Sequence, residues 1–211
     1  GSRSQSTNRK AERMNEPVGS SPIQEEFFCR YTASPLGKLL LVGKFDALHY
    51  VGLPGDKGAL VPESDWHFVE EGVSAILDKA ACQLDEYFAG CRNLFDLTLA
   101  PVGTAFQITV WNQLSGIPFG ETRSYAEIAA AIGKSAAVRA VGAANRCNPL
   151  PIVVPCHRVV GSNRQLTGFV GGLPAKLSLL TLEGVDIDEL GRVSHIENDQ
   201  AASDKDRNVS K

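Results

Sequence analysis

The run Pro155-Cys156-His157-Arg158-Val159-Val160 places a thiol beside an imidazole in a short segment flanked by apolar residues. A thiol is a useful nucleophile only as a thiolate, and a neighbouring imidazole or helix N-terminus lowers the cost of ionising it. Cys156 is therefore the candidate reactive atom. The competing reading is a buried, inert cysteine, because Ile152, Val153 and Val154 just upstream have the look of a core strand. Glu183 also breaks a local rule. It falls in the last turn of a helix expected to start at Pro174 and to end at Gly184, where the helix dipole disfavours an anion by roughly 0.3 to 1 kcal/mol. Orienting an imidazole is one reason to put a carboxylate there, and a solvated surface glutamate is the other reading.

Stepping outward to the elements that must hold these groups, residues 27–53 alternate short apolar runs with turn chemistry: Phe27 to Tyr31, the turn Ser34-Pro35-Leu36-Gly37, Lys38 to Val42, and Ala47 to Leu53. The pattern predicts antiparallel strands joined by hairpins. From about Asp65 to Gly90, Val73, Ile76, Leu77, Ala80, Leu84 and Phe88 recur every three or four residues, which predicts an amphipathic helix. A last strand is expected over Leu94 to Leu99, followed by a break at Ala100-Pro101-Val102-Gly103.

The second half is predicted helical. Thr104 with Gln107 and Ser124 with Glu127 are capping boxes. Ser135 is expected to cap a further helix that runs to about Arg146, stopped by Asn148-Pro149. Two short helices separated by Gly133-Lys134-Ser135 have the layout of a helix-turn-helix. In the second of them Arg139 stands nearly alone among Ala136, Ala137, Ala140, Gly142, Ala143 and Ala144. That suits a helix docked on DNA with one arginine probe, and equally an interior helix whose small residues permit close crossing.

With 211 residues and 43% hydrophobic content the chain can bury a real core, as one domain or two. Five cysteines at irregular spacings, without a CxxC pair or an apolar leader, point to free thiols in a reducing, intracellular compartment. No run of eighteen apolar residues spans a membrane. The net charge of −3 argues against a nucleic-acid partner, but its distribution argues for one. Residues 1–103 carry ten basic and fourteen acidic side chains, a net of −4, whereas residues 121–176 carry seven basic and two acidic, a net of +5. Residues 1–24 are expected to be disordered or appended, with Gly1-Ser2 an expression remnant and Met14 the native start; residues 194–211 are expected to form a disordered tail.

The run from Asn148 to Gly161 resembles the signature of the O6-alkylguanine-DNA alkyltransferases. The likeness extends through Phe106-Gln107, Val110-Trp111, Ile117-Pro118-Phe119-Gly120, Ser124-Tyr125, Arg139-Ala140-Val141-Gly142, Gly171-Gly172, Lys176 and Leu182-Glu183-Gly184. It is strong over 104–185 and looser over 31–99, where it rests on Ser34-Pro35-Leu36-Gly37 and Tyr87-Phe88-Ala89-Gly90. The resemblance implies an α/β protein: an N-terminal ribonuclease-H-like domain over 25–100, with a small antiparallel sheet and a helix, packed on a mostly helical DNA-binding and alkyl-acceptor domain over 104–193.

It further implies direct repair, in which an alkyl group moves from guanine O6 to Cys156, once per molecule because a thioether is not released by water. His157 would take the thiol proton, Glu183 would orient His157, Tyr125 would donate to the base, and Asn148 would hold the turn that presents the cysteine. Arg139, with Ala137, Ala140, Gly142 and Ser135, would contact DNA and prop the space left by a flipped nucleotide. Val159, Phe169, Val170 and Lys176 would line the pocket. The implied partner is double-stranded DNA carrying an O6-alkylated guanine, met by a monomer in the cytoplasm of a bacterium or the nucleus of a eukaryote, with no membrane association and no metal or organic cofactor.

Two departures matter: Phe169-Val170 stands where relatives commonly have tyrosine followed by serine or alanine, and Lys44 stands near His49 where zinc-binding relatives have cysteine. The rival readings are a protein that binds alkyl lesions without reacting, a thiol hydrolase using Cys156 and His157 as a dyad, and a transcription factor resting on the helix-turn-helix alone.

Overall fold

The computed structural model describes residues 26–55 and 60–194. The segment 1–24 expected to be disordered or appended, and the expected tail beyond residue 194, lie outside them. Three strands, β1 (Phe27–Thr32), β2 (Leu39–Lys44) and β3 (Ala47–Gly52), form the predicted antiparallel meander. Every residue of β2 but the last is buried, as expected of a strand covered on both faces.

The helix expected from Asp65 begins ten residues later. Trp66–Phe68 instead form strand β4, parallel to β1, so the sheet is mixed, in the order β3-β2-β1-β4. Three residues are too few for alternation to register in a sequence. Trp66 is held by stacking on Tyr50 and by Cys29, Leu40 and Val42. Helix α1 (Ala75–Phe88) then lays Ile76, Leu77, Ala80 and Leu84 against the sheet, while Val73 is exposed. Gly43 permits the close approach, since a Cβ there would lie 2.9 Å from Ile76 Cγ2. Asp78 anchors the first turn through Arg30 of β1 and the Gly72 amide.

The strand expected over Leu94–Leu99 is absent apart from one bridge, Leu48 to Leu99. The reason is local. The side-chain amide of Gln83 donates to the Asp96 carbonyl (2.9 Å) and accepts from the Asp96 amide (2.8 Å), satisfying backbone groups that a neighbouring strand would otherwise take. Phe95 thereby turns inward onto Tyr87.

In the second half, α2 (Ala105–Ser115) and α3 (Tyr125–Ala131) both start at complete capping boxes, Thr104 with Gln107 and Ser124 with Glu127. Ser135 does not cap the next helix: Ser135–Ala137 form a 3-10 turn and α4 begins at Val138, ending at Arg146. Two-residue strands β5 (Arg123–Ser124) and β6 (Val159–Val160) pair in parallel. α5 (Gly172–Leu182) starts two residues ahead of Pro174. One apolar cluster runs through both halves, joining Leu39, Leu77 and Leu84 to Trp111, Leu114, Ile128 and Leu179. Among the described residues no helix is long and apolar enough to cross a membrane.

Candidate functional site

The segment leading to Cys156 is a clamped turn, not the strand its apolar run suggests. Ile152 takes φ 75°, a conformation that costs a β-branched residue of order 1–2 kcal/mol, and the neighbouring hydrogen bonds hold it there. The Val154 amide donates to the Leu150 carbonyl (2.8 Å). Asn148, itself buried, donates to the Val154 carbonyl (2.8 Å) and accepts from the Leu150 amide (3.0 Å), so both ends of the turn are tied to one side chain. The chain then enters a 3-10 turn, Cys156–Arg158, which feeds β6.

Cys156 is buried, with 1% exposure. Burial pushes its thiol up to about 11, against the opposing influence of the Asn148 side chain, the Lys176 charge and nearby backbone amides. At rest the sulfur is therefore protonated, and ionising it needs an acceptor close by. His157 is the adjacent buried base. Burial lowers its pKa, a fall that the Glu183 carboxylate opposes and that the Arg158 and Lys176 charges reinforce, so the ring is neutral at neutral pH. Its Nε2 lies 2.8 Å from Glu183 Oε1, while Nδ1 is buried and has no hydrogen-bond partner among the described residues. An ionised carboxylate only accepts, so Nε2 carries the proton and Nδ1 is the free lone pair.

Glu183 caps the C-terminal end of α5, and its side chain is wholly buried, which removes the surface reading. Oε1 accepts from Tyr87 Oη (2.7 Å), His157 Nε2 (2.8 Å) and Arg158 Nη2 (3.0 Å); Oε2 accepts from Arg158 Nε (2.8 Å) and the Gly120 amide (3.3 Å). Burial alone would raise this carboxyl, but the hydrogen bonds from His157 and Arg158, with the guanidinium charge, win and hold it down at about 2. Arg158 is fixed in turn by the Ile117 carbonyl and by the face of Phe119. Gly184 at φ 76° closes the helix, its amide bonding to Thr181 while that of Val185 bonds to Leu180, and this leaves the Glu183 side chain free to turn inward.

The β5–β6 pair sets Ser124 opposite Val160, so Tyr125, the first residue of α3, follows a strand that pairs with the one leaving the cysteine turn. Thr167 Oγ1 donates to Tyr125 Oη at 3.4 Å. Lys176 is wholly buried and donates to the carbonyls of Val159 (2.5 Å) and Thr167 (2.9 Å), which ties α5 to both walls of this region; burial lowers its ammonium to about 8. Val159 is buried, Val170 is half-buried, and half-buried Phe169 meets His157 edge-on with ring centroids 6.3 Å apart. Gly142 lies beside Tyr125, where a Cβ would sit 3.9 Å from its ring.

Helix α4 is two-faced. Val141, Ala144 and Asn145 are buried, whereas Arg139, Ala140, Ala143 and Arg146 are exposed, with Ser135 exposed in the preceding turn and Ala137 half-buried. The interior reading of its small residues therefore holds for one face, and the other is open to solvent. The first half of the chain supports the site from behind: the Val51 amide donates to the Pro149 carbonyl (2.9 Å), Leu53 lies against Gly171, and Tyr87 reaches Glu183.

The sequence reading gave no part to Tyr87, Arg158 or Thr167. Tyr87 did leave a signal. It continues the buried stripe of Leu77, Ala80 and Leu84, and a tyrosine so placed needs a partner for its hydroxyl. No group of three or more His, Cys, Asp or Glu side chains suited to a metal occurs among the described residues, His49 included.

Residues 105–185 match the family described as 6-O-methylguanine DNA methyltransferase, DNA binding domain. The methylated-DNA–protein-cysteine methyltransferase of Methanosarcina acetivorans is 51% identical over 152 residues, covering 72% of this chain and 94% of its own length. The constitutive enzyme of that name from Bacillus subtilis is 44% identical over 164 residues, covering 74% and 94%. Among solved structures, Mycobacterium tuberculosis OGT in complex with DNA aligns with a TM-score of 0.68 at 42% identity, over 74% of this chain and 92% of that one.

Proposed function

The chain belongs to the methylated-DNA–protein-cysteine methyltransferase family, and from that premise we propose that it repairs DNA by moving an alkyl group from guanine O6 to its own Cys156, once per molecule. The observation that carries this reading is the buried series Cys156, His157, Glu183: a protonated thiol, an imidazole with one free nitrogen, and a carboxylate that fixes which nitrogen is free.

The reaction is an in-line displacement at saturated carbon. As the sulfur–carbon bond forms, the oxygen–carbon bond breaks and its electron pair stays on the guanine. The thiol proton passes to His157 Nδ1, directly or through a water, and Glu183 stabilises the imidazolium that results. Tyr125 donates to the departing base and limits its negative charge. Net, the thiol proton ends on guanine and the alkyl group on sulfur. The thioether has no leaving group for water to displace, so each molecule acts once and needs no cofactor.

Inside a duplex the lesion is stacked and paired, so it must be turned out at a cost of a few kcal/mol. The exposed face of α4 suits this task. The small residues Ala140 and Gly142 of α4, with Ser135 and Ala137 of the turn before it, allow close approach, and Arg139 fills the vacated space. In this reading α3 and α4 are a helix-turn-helix, residues 25–100 are a ribonuclease-H-like unit, and residues 104–193 carry DNA binding and alkyl acceptance. Of the basic residues over 121–176, Arg158 and Lys176 are buried, and the exposed Lys134, Arg139 and Arg146 supply affinity that ignores sequence. Lys176, Val159, Phe169 and Val170 form or brace the pocket. The protein works as a monomer inside the cell.

Intact-protein mass with peptide mapping, after incubation with a duplex carrying one O6-methylguanine, tests the reading. One methyl on the Cys156 peptide, saturating at one per molecule, is expected. Lesion binding without a mass change would replace it with a sensor.

A further inference from the structure

Tyr87 comes from α1, nearly a hundred residues before the carboxylate it touches, and it is wholly buried. Its ring is fixed by Phe88, Phe95 and Phe119, edge-on to the first and last of these. Its hydroxyl donates at 2.7 Å to Glu183 Oε1, the same oxygen that accepts from His157 Nε2 at 2.8 Å and from Arg158 Nη2 at 3.0 Å. A carboxylate oxygen offers about two lone-pair directions. Three donors on one oxygen therefore compete, and what Tyr87 takes, His157 does not receive.

We infer that Tyr87 is a positioning residue that shares the Glu183 carboxylate with His157 and thereby links the first half of the chain to the reactivity of Cys156, an inference that rests on the alkyl-transfer reading above. The charged and titratable groups acting on His157 are Glu183, Arg158 and Lys176, and those acting on Glu183 are Tyr87, His157 and Arg158. Of the three donors to Oε1, Arg158 is always charged and His157 gains charge when it takes a proton, whereas Tyr87 stays neutral throughout. Burial and the Glu183 charge both push its pKa upward, so it stays a phenol, and its contribution is constant across the working pH range. By drawing on Oε1 it moderates the attraction of the carboxylate for an imidazolium. That keeps His157 neutral at rest with Nδ1 free to take the thiol proton.

The test is Tyr87→Phe, which keeps the ring and removes the donor. The His157 imidazole is followed by nitrogen-detected NMR titration, and the rate of alkyl transfer is measured against pH. The loss of one buried hydrogen bond to the carboxylate predicts a rise in the His157 midpoint of about half to one pH unit. The acid limb of the rate profile should move up by the same amount. In a Glu183→Gln background the substitution should no longer move His157. An unmoved midpoint, or a rate that falls equally at every pH with the acid limb in place, overturns the proposal by reducing Tyr87 to a packing residue.

A second measurement needs no variant. In the wild type the Tyr87 hydroxyl proton should exchange slowly and show a cross-relaxation contact to the His157 Nε2 proton, and its absence overturns the proposal. The titration judges the hydrogen-bond network whether or not alkyl transfer occurs. A wild type that takes up no alkyl group overturns the reading beneath it instead.

Discussion

Glu183→Gln removes one charge from the centre of the site while keeping its shape, and the structure sets the size of the effect. The carboxyl titrates at about 2 in the folded chain against an ordinary value of 4.5. At about 1.36 kcal/mol for each pH unit, the ionised carboxylate contributes about 3 kcal/mol of stability at neutral pH. The side chain has no exposure that would screen this figure. A second route gives a similar answer, because removing one partner of a buried ion pair costs roughly 3–5 kcal/mol by stranding the other, here Arg158. The folded pKa is the depressed one, so between pH 2 and 4.5 the unfolded chain binds more protons and stability rises with pH. The contribution is complete above about pH 4.5, falls to somewhat under half by pH 3, and is gone below about pH 2. Urea unfolding of both proteins at pH 7, 5 and 3 measures it. The variant midpoint should be lower by roughly 1–2 M urea at pH 7 and pH 5, with the gap closing toward pH 3. Equal midpoints at pH 7, or a gap of constant size, would refute the argument that Glu183 is an ionised buried hub.

Asn148→Ala should cost about 2–4 kcal/mol, because it leaves the Val154 carbonyl and Leu150 amide without partners and frees Ile152 from its left-handed conformation. Urea unfolding measures the loss, and faster amide exchange at Val154 would locate it. Brief exposure of the native protein to iodoacetamide should label Cys82, Cys91 and Cys147 before Cys156, since those three are exposed and Cys156 is a buried thiol titrating at about 11. Peptide mapping reads the order, and early labelling at Cys156 would contradict it. Arg139→Ala should slow alkyl transfer from a duplex about tenfold or more while leaving reaction with the free alkylated base nearly unchanged, and equal losses would remove the arginine from base extrusion.

What a sequence makes legible depends on how local the cause is. The capping boxes at Thr104 and Ser124 are complete within four residues, and both were found where expected. Ser135 carries the right residue type for a cap, yet a 3-10 turn intervenes before α4, and nothing in the side chain itself reports that. The apolar run Ile152-Val153-Val154 passes for a strand because periodicity cannot separate a buried strand from a buried turn held by a polar side chain upstream. Leu94–Leu99 fails as a strand for a similar reason, the competing partner being Gln83 on α1. At the site, the contact between His157 and Glu183 was foreshadowed by a carboxylate at the wrong end of a helix, whereas that of Arg158 was not. For Tyr87 the buried stripe of α1 announced the need for a partner but not its identity, because the contact joins segments whose separation along the chain carries no pattern.

The wall of contacts behind the cysteine limits how far the two halves can be treated as interchangeable parts. Val51 bonds to Pro149, Leu53 abuts Gly171, and Tyr87 reaches Glu183, so the first hundred residues carry three fittings made to measure for the second hundred. A chimera that joins this chain to a relative near residue 102 inherits a reactive centre whose backing was cut for another protein. Grafting is then a matter of transplanting matched pairs, Tyr87 with Glu183 and Leu53 with Gly171, and a seam drawn by sequence alone would separate them.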